Sequence, residues 1–447
     1  MIYALLVFFV LLYIVYYILF RSFISPVSLL LLSFIFAITI ITANMKNWQV
    51  SINLLFVKYV LTAVASFILG CLTARLQTGR IDFVGNEIKK ADNQSGFLTH
   101  AKYSPILFFF IPVCCTCLFV ILMFIQARNA GTGGNIFRTI YTSAKDNSSS
   151  FFVHQLREIV VAIAEISIME IMVIKYANKT RVSKGFLIPI ACFALCALFS
   201  TDRNIFLRFI IYAICLWVFF FTSMRETRIQ RTNKQIAKKT IMIIAVAIGV
   251  FYLLGKVKSY TSNLERMIGI YGGSGLYNFN LYLEKVTKES LQYGRETFYQ
   301  FFSSLRVFGI DISGFAPNDT ELGMVIFASP NGYIYASNIY SAMMPYVRDF
   351  GYLGVIIFPF SMSCLFEKIY LRATKMKSAY CCGLYSILIY AVVYFSMVEQ
   401  FFNRFHLGMV YEIGWFSIIY FVAFGRYGRE VKQYTVFGDN KCCHENN

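Results

Sequence analysis

The sequence predicts an all-α polytopic membrane protein, and its composition, its apolar runs and the placement of its charges each indicate this class. Of the 447 residues, 58% are hydrophobic, 18% are aromatic and only 14% are charged. Soluble domains carry about 25% charged residues, and a water-soluble chain of this length needs more polar surface to cover its core. The composition therefore excludes a soluble enzyme, a disordered chain and a disulfide-stapled secreted domain.

The sequence holds eleven apolar runs that we predict to cross a hydrocarbon core of about 30 Å, which takes roughly 17–25 helical residues. They lie at residues 2–20, 26–43, 53–74, 105–125, 156–176, 185–200, 204–223, 240–255, 351–366, 379–400 and 406–424. Because the shortest runs fall just below that length, totals of ten or twelve spans stay open. The first eight predicted spans occupy residues 1–255, and the last three occupy residues 351–425. Residues 256–350 form a loop between these two groups, and residues 426–447 form a tail.

The basic residues set the predicted orientation, because short cytoplasmic loops of membrane proteins carry an excess of Lys and Arg. Segment 225–239 holds six basic residues and one acidic residue, which places it in the cytoplasm. Counting spans outward from it makes 75–104, 175–184, 367–378 and the tail from Gly425 cytoplasmic as well. Together with Arg21, which follows the first span, 24 of the 41 Lys and Arg residues then lie inside. The N-terminus is expected outside and the C-terminus inside. The net charge of +18 therefore reports topology and does not indicate nucleic-acid binding.

The loop at 256–350 is predicted to be folded, partly helical and exterior. It holds eight basic and eight acidic residues, with Tyr, Phe and Ile distributed throughout. Loops of this length are uncommon unless they are functional or disordered, and this one has few low-complexity runs. We therefore expect the chemistry of the protein to take place in this loop.

The fifth predicted span carries ionisable side chains, which are expensive in a bilayer and usually face a cavity or a partner. His154 and Arg157 lie near its outer mouth, where a functional and a structural role both stay open. Glu165 and Glu170 lie deeper, and a structural role is favoured for them. The candidate partners of these two carboxylates are Arg208 and Lys58.

Two further cations lie where predicted spans meet the outer surface. Arg203 ends a Ser-Thr-Asp-Arg turn at the start of the seventh span, where backbone N–H groups can hold an anion. The alternative is an ordinary interfacial arginine whose side chain extends from the hydrocarbon to the headgroups. Arg348 and Asp349 lie together where the ninth span enters the membrane. Neighbouring helical residues point about 100° apart, so these two need not pair. Basic groups at this level suit a lipid-linked phosphate.

Several side chains of the long loop are of the types that contact sugars. Aromatic faces and amide groups suit sugar rings, although a turn with a local hydrophobic cluster is the other interpretation of the same residues. The candidates for sugar contact in this loop are Tyr271, Asn280, Asn338 and Tyr340, and Arg295 is a further candidate for binding the substrate. The sequence contains no metal-binding motif, no P-loop and no G-x-G-x-x-G motif, so we expect no metal, no cofactor and no direct nucleotide substrate.

Four motifs follow one another along the chain. They are Ser-Thr-Asp-Arg at 200–203, the Tyr-Gly-Gly and Phe-Asn stretch at 271–280, Gly-Arg-Glu-Thr-Phe at 294–298, and Asn-Ile-Tyr-Ser…Pro-Tyr…Asp-Phe-Gly-Tyr-Leu-Gly at 338–354. In this order the chain resembles the Wzy-type O-antigen or oligosaccharide repeat-unit polymerases of bacterial membranes. In that family the last motif commonly runs Asn-Val-Tyr-Thr…Pro-Tyr…Asp-Phe-Gly…Gly, and the first is usually Ser-Thr-Gly-Arg. The likeness extends over roughly residues 150–425.

The resemblance implies a GT-C-like helical fold and a metal-independent, inverting glycosyltransferase at the outer face of the bacterial cytoplasmic membrane. Such an enzyme transfers the growing glycan of an O-antigen, capsule or similar envelope polysaccharide from undecaprenyl diphosphate to the next lipid-linked repeat unit. The implied partners are these lipid-linked oligosaccharides and the bilayer, with a chain-length regulator and a flippase as candidate protein partners.

Within such a mechanism, three guanidinium groups are candidates for holding the leaving diphosphate, because guanidinium forks bind phosphate oxygens bidentately. They are Arg157, Arg203 and Arg348. Asp349 is the first candidate for the base that takes the proton of the acceptor hydroxyl, with His154 and Glu296 behind it. The alternative role of Asp349 is to cap or orient Arg348.

Two other functions remain open from the sequence. A ligase that moves finished glycan onto lipid A or protein would use the same donor and a similar fold. A flippase of lipid-linked oligosaccharide is the second alternative, but flippases usually show internal hydropathy repeats and short loops. The chain shows no convincing repeat, and its long exterior loop argues against a flippase.

Overall fold

The computed structural model describes residues 1–78, 104–129, 151–177, 181–200, 203–223, 249, 264–285, 291–315, 325–328, 334–337, 339–375, 378–405 and 407–424. The segment 225–239, the tail 426–447 and all but residue 249 of the predicted span 240–255 lie outside these ranges. The described part is helical apart from one two-stranded hairpin.

In the described residues of its first half, the chain forms seven long helices. They are α1 (Ile2–Phe20), α2 (Pro26–Ala43), α3 (Leu54–Gln77), α4 (Ile111–Asn129, preceded by a π-helical turn Ile106–Phe110), α5 (Phe151–Met172), α6 (Leu187–Ser200) and α7 (Arg203–Ser223). Local sequence signals fix several of the ends. Pro26 occupies the first turn of α2, where its missing N–H costs nothing, and the Ser25 hydroxyl accepts from the Ser28 N–H. Asn53 caps α3 in the same way.

The second half mixes short and long elements. They are α8 (Leu264–Gly272), α9 (Ser274–Lys285), α10 (Tyr299–Leu305), the antiparallel strands β1 (Val325–Ala328) and β2 (Ile334–Ser337), α11 (Met343–Lys375), α12 (Ala379–Leu388), α13 (Tyr390–Val393) and α14 (Leu407–Phe424). The ninth span was predicted to begin at 351, whereas α11 begins at Met343. Gly351 interrupts α11 with φ of 61°, so the predicted boundary coincides with a kink within a helix.

The chain is a helical, multi-pass membrane protein. Within the described ranges, seven helices are long and apolar enough to cross a membrane, and two shorter apolar helices, Lys184–Ser200 and Ala379–Val393, accompany them. The predicted span 156–176 is also helical, but α5 carries Arg157, Glu158, Glu165 and Glu170 and is too charged to belong with those seven. The total of eleven spans stays a prediction.

The chain divides into two compact units, and the first comprises residues 1–93, 261–372 and 388–409. Here α1 packs on α2, with the rings of Phe9 and Phe34 stacked at 5.4 Å. Helix α3 lies so close to α11 that a side chain at Gly70 would meet the Phe360 carbonyl. The α8–α9 pair packs against α2, which places this part of the predicted exterior loop against the helix bundle.

The second unit comprises residues 94–260, 373–387 and 410–447. Helix α5 is at its centre and packs against α4, α6 and α7. Buried side chains occur along nearly the whole length of α5, and all three glutamates of this helix are among them. This arrangement keeps the three glutamates of α5 away from lipid, as the cost of burying charge in hydrocarbon requires.

Candidate functional site

Arg348 and Asp349 lie in the last turn of α11 before its kink. The positive φ of Gly351 is a conformation that side chains other than glycine rarely adopt, and it ends the first helical segment directly after them. Both residues are buried, with Arg348 4% exposed and Asp349 fully covered. The predicted site therefore lies inside the first unit, beneath a covering segment, and not on an open surface.

The covering segment is the stretch 292–298, which is hydrogen-bonded to the end of this helical turn. The backbone N–H groups of Gln292 and Tyr293 donate to the carbonyl oxygens of Arg348 and Asp349, both at 3.1 Å. The Asp349 carboxylate accepts the N–H of Glu296 at 3.2 Å and of Thr297 at 2.6 Å. Asp349 therefore uses both carboxylate oxygens to hold the backbone of the Gly-Arg-Glu-Thr-Phe motif.

Arg348 forms an ion pair with Glu296, the third residue of the same motif. The Arg348 side chain is 3% exposed, whereas that of Glu296 is 21% exposed. Of the three charged groups in this cluster, Glu296 is thus the one that a substrate can reach most easily. The structure brings together the two motifs at 294–298 and 338–354 that the sequence placed far apart along the chain.

An aromatic cluster packs next to this arrangement. The Phe298 ring lies 5.8 Å from that of Phe358, and the Tyr346 ring lies 4.9 Å from the same Phe358. The Tyr346 hydroxyl donates to Glu399 at 3.1 Å. Glu399 also accepts backbone N–H groups of residues 401–403, so it closes the turn that precedes α14. The aromatic packing and the buried carboxylate fix the position of the segment that carries Glu296.

The covering segment also contains a strained turn. Tyr293 has φ of 49° and the following Gly294 has φ of 95°. A bulky residue with positive φ is uncommon and persists only where the surrounding contacts determine the backbone. Here the two hydrogen bonds to the carbonyls of α11 supply those contacts. The backbone of the segment is therefore dictated by its docking on α11.

The other predicted site residues of the first unit differ in their accessibility. Tyr340 is half-buried near Arg348; burial raises the pKa of its phenol, and the charge of Arg348 opposes that rise. Arg295 is half-buried and Tyr271 is 43% exposed. Asn338 lies outside the described residues.

Asn280 was predicted to contact sugar, and the structure gives it an internal role. Its side chain is buried, accepts the Asn53 N–H at 2.9 Å and donates to the Ser51 carbonyl at 2.9 Å. These bonds attach α9 to the start of α3. The amide is therefore occupied in joining the long loop to the helices.

In the second unit, His154 and Arg157 form one cluster with Glu158. The Arg157 guanidinium donates to Glu158 at 2.8 Å and lies 3.0 Å from Nδ1 of His154. The Arg157 side chain is 20% exposed and the His154 side chain is 35% exposed. The structure thus brings these two predicted residues together. Arg203 begins α7, and its side chain lies outside the described part.

Two side-chain pairs in the second unit involve Gln155, Glu412 and Trp415, which the sequence analysis did not single out. One of these pairs engages Arg208, which the sequence suggested as a partner for Glu165 and Glu170. Arg208 donates to Glu412 of α14 at 3.1 Å, and Trp415 donates to Gln155 at 2.7 Å. Lys58, the other suggested partner for the glutamates of α5, belongs to the first unit and lies over the Tyr352 ring at 4.7 Å. The sequence feature that could have revealed such residues is a lone carboxylate within an apolar run, as at Glu412 and Glu399.

Among the described residues, no group of three or more His, Cys, Asp or Glu side chains is arranged to hold a metal ion. No family model, curated protein or solved structure matches the chain. The resemblance given above rests on its motifs.

Proposed function

We propose that this protein is a repeat-unit polymerase of the bacterial cytoplasmic membrane. It would transfer a growing glycan from undecaprenyl diphosphate to the next lipid-linked repeat unit. The observation that carries the proposal is the cluster of Glu296, Arg348 and Asp349, where an accessible carboxylate is held by a buried arginine at the start of a membrane helix. A fixed base at the level of the lipid surface is what transfer between two lipid-linked substrates needs.

The reaction is a direct displacement at the anomeric carbon. The acceptor hydroxyl oxygen bonds to that carbon as the bond to the diphosphate oxygen breaks, and the diphosphate leaves with the electron pair. The proton of the acceptor hydroxyl passes to a carboxylate. We assign this role to Glu296, because both oxygens of Asp349 are already engaged by backbone N–H groups.

The buried partners of Glu296 then act as positioning residues. Arg348 orients its carboxylate, and Asp349 fixes the backbone that carries it. Arg295, which is next to Glu296 and half-buried, is our candidate for contact with the diphosphate in this segment. Arg157 and Arg203 belong to the second unit and stay predictions from the sequence. Tyr271 and Tyr340 stay candidates for sugar contacts.

The test is a gel of surface polysaccharide from a strain that lacks this chain. The strain is complemented with the wild type, with Glu296→Gln, or with Asp311→Asn, which removes an exposed carboxylate in the same unit. Glu296→Gln should lower polymerisation by about 100-fold or more and leave single repeat units, while Asp311→Asn restores the ladder.

A normal ladder from Glu296→Gln, at equal protein level, would overturn the assignment of the base. Full-length polymer retained on its lipid carrier in the strain that lacks the chain would indicate the ligase function instead. Lipid-linked units confined to the cytoplasmic face of that strain would indicate a flippase.

A further inference from the structure

The segment Leu291–Ile310 exposes an unusual number of large apolar side chains. Tyr293 is 78% exposed and Phe308 is 69% exposed. Three more apolar side chains in this segment, those of Leu291, Phe301 and Ile310, are each more than 40% exposed. Single exposed apolar residues need no explanation, but a group of them within one short segment marks an interaction surface.

This segment is fixed to the protein at two points, and each point is the start of a long apolar helix. At one end, its backbone and the Glu296 side chain are bonded to Arg348 and Asp349 of α11. At the other end, the Ser304 hydroxyl of α10 accepts the N–H of Leu407, the first residue of α14, at 3.3 Å. The position of α14 along the membrane normal therefore sets the depth of α10.

The length of α14 determines that depth. The helix has 18 residues, which at 1.5 Å per residue extend about 27 Å, close to the thickness of a hydrocarbon core of about 30 Å. A helix this short has to use its whole length to cross the membrane, so Leu407 lies at the boundary of the hydrocarbon. Ser304 is in contact with Leu407, and α10 lies at the same level.

We propose that Leu291–Ile310 is an interfacial membrane anchor that inserts Phe301, Phe308 and Ile310 among bilayer lipids. Aromatic side chains concentrate at the boundary between headgroups and acyl chains, and amphipathic segments lie in this plane. The exposed Arg306, between the two phenylalanines, meets the lipid phosphates. The inference rests on α14 spanning the membrane and is independent of the proposed reaction.

The anchor explains how the cluster around Glu296 is held at one depth. Glu296 lies on the side of this segment that contacts α11, and the exposed apolar side chains lie on the side that faces away from the protein. Contact with lipid on one side and with α11 on the other fixes the height of the carboxylate above the hydrocarbon. This consequence, unlike the anchor itself, rests on the proposed function: a lipid-linked substrate has its reactive bond at a fixed height, and the anchor holds the carboxylate at a matching height.

The test places a tryptophan at the centre of the surface and measures its quenching by brominated lipids. Phe308→Trp, in the full chain reconstituted into phosphatidylcholine–phosphatidylglycerol vesicles, is compared with wild type, whose Trp48, Trp217 and Trp415 give the background. Leu11→Trp, an exposed position in the middle of α1, is the matched control. Lipids brominated near the headgroup should quench the added Phe308→Trp fluorescence about twofold or more, and lipids brominated near the chain end should quench Leu11→Trp most.

Two results would overturn the proposal. The first is a Phe308→Trp signal that no brominated lipid quenches and that aqueous acrylamide quenches fully, since the segment would then lie in water. The second is protection from both quenchers together with a dimeric species on sizing, since a second copy would then cover the surface. Ile310→Trp repeats the measurement if Phe308→Trp does not yield folded protein.

Discussion

At the scale of single residues, the neighbours Arg348 and Asp349 have different partners although they are adjacent in the sequence. The Arg348 guanidinium pairs with the Glu296 side chain, whereas the Asp349 carboxylate accepts two backbone N–H groups. A carboxylate that is fully buried needs its acceptors satisfied, because an unpaired buried charge is expensive. Asp349 is therefore better suited to hold the loop than to accept a proton.

Asp349→Asn tests this role. The amide keeps the shape of the carboxylate but has only one acceptor oxygen, so one backbone N–H of residues 296 and 297 loses its partner. We expect destabilisation of about 1–3 kcal/mol, measured as a lower thermal unfolding temperature in detergent. The control is Asp311→Asn, a substitution at an exposed position, which should leave the unfolding temperature unchanged. Equal unfolding temperatures for Asp349→Asn and the wild type would contradict the structural role.

The buried pair of Arg208 and Glu412 gives a second prediction at this scale. Each side chain is about 10% exposed, so removal of one partner leaves a charge inside the second unit. Glu412→Leu should cost about 3–5 kcal/mol, and the double variant Arg208→Met with Glu412→Leu should regain most of that loss. A double variant as unstable as the single one, in the same unfolding assay, would show that the pair does not act as a unit.

At the scale of elements, the close approach of α3 and α11 organises the first unit. A Cβ atom at Gly70 would collide with the Ser363 hydroxyl and with the Phe360 carbonyl. Farther along the same two helices, Arg75 pairs with the buried Glu367 at 2.7 Å. The glycine permits the approach and the ion pair sets the register of one helix against the other.

Gly70→Ala should therefore destabilise the first unit. The added methyl group meets backbone, which cannot move aside as a flexible side chain can, so we expect a loss of about 1–3 kcal/mol. Leu69→Ala, at the adjacent and 57% exposed position, is the control and should change stability little. The measurement is thermal unfolding of both variants in the same detergent. A Gly70→Ala protein as stable as Leu69→Ala would argue against this contact.

At the scale of the whole molecule, the distribution of charge predicts which loops lie on which side of the membrane. Fusion of a reporter that is active only outside the cytoplasm, such as alkaline phosphatase, should give activity after residue 310 and none after residue 230. A fluorescent protein that matures only inside should give the reverse, because residues 225–239 carry the basic cluster. Phosphatase activity after residue 230 would overturn the orientation.

Much of the fold could be predicted from the sequence, because helix ends in a membrane protein follow from apolar run lengths. The expected run 26–43 has the same bounds as α2, where Ser25 and Pro26 give the start signal. The start of α11 could not be predicted in this way. Residues 343–350 contain Arg348 and Asp349, and their burial against the 292–298 segment is a tertiary effect that hydropathy does not register.

The candidate site was predicted in part. The sequence singled out Arg348, Asp349 and the Gly-Arg-Glu-Thr-Phe motif, and the structure joins them. It did not show that the motif's glutamate would be the accessible group, or that Asn280 would bond to residues 51 and 53. These partners are separated by 52 to 229 positions along the chain, and no local period encodes such contacts.

The sequence by itself determined that the chain is a helical membrane protein, because the hydrocarbon core demands apolar helices of a definite length. It also determined which ionisable residues are costly and therefore need partners. Only the tertiary structure decided which partners they have, since a buried charge is satisfied by whichever donor the packing of distant segments brings within hydrogen-bond distance. Asp349, enclosed by backbone from 296 and 297, is the clearest case.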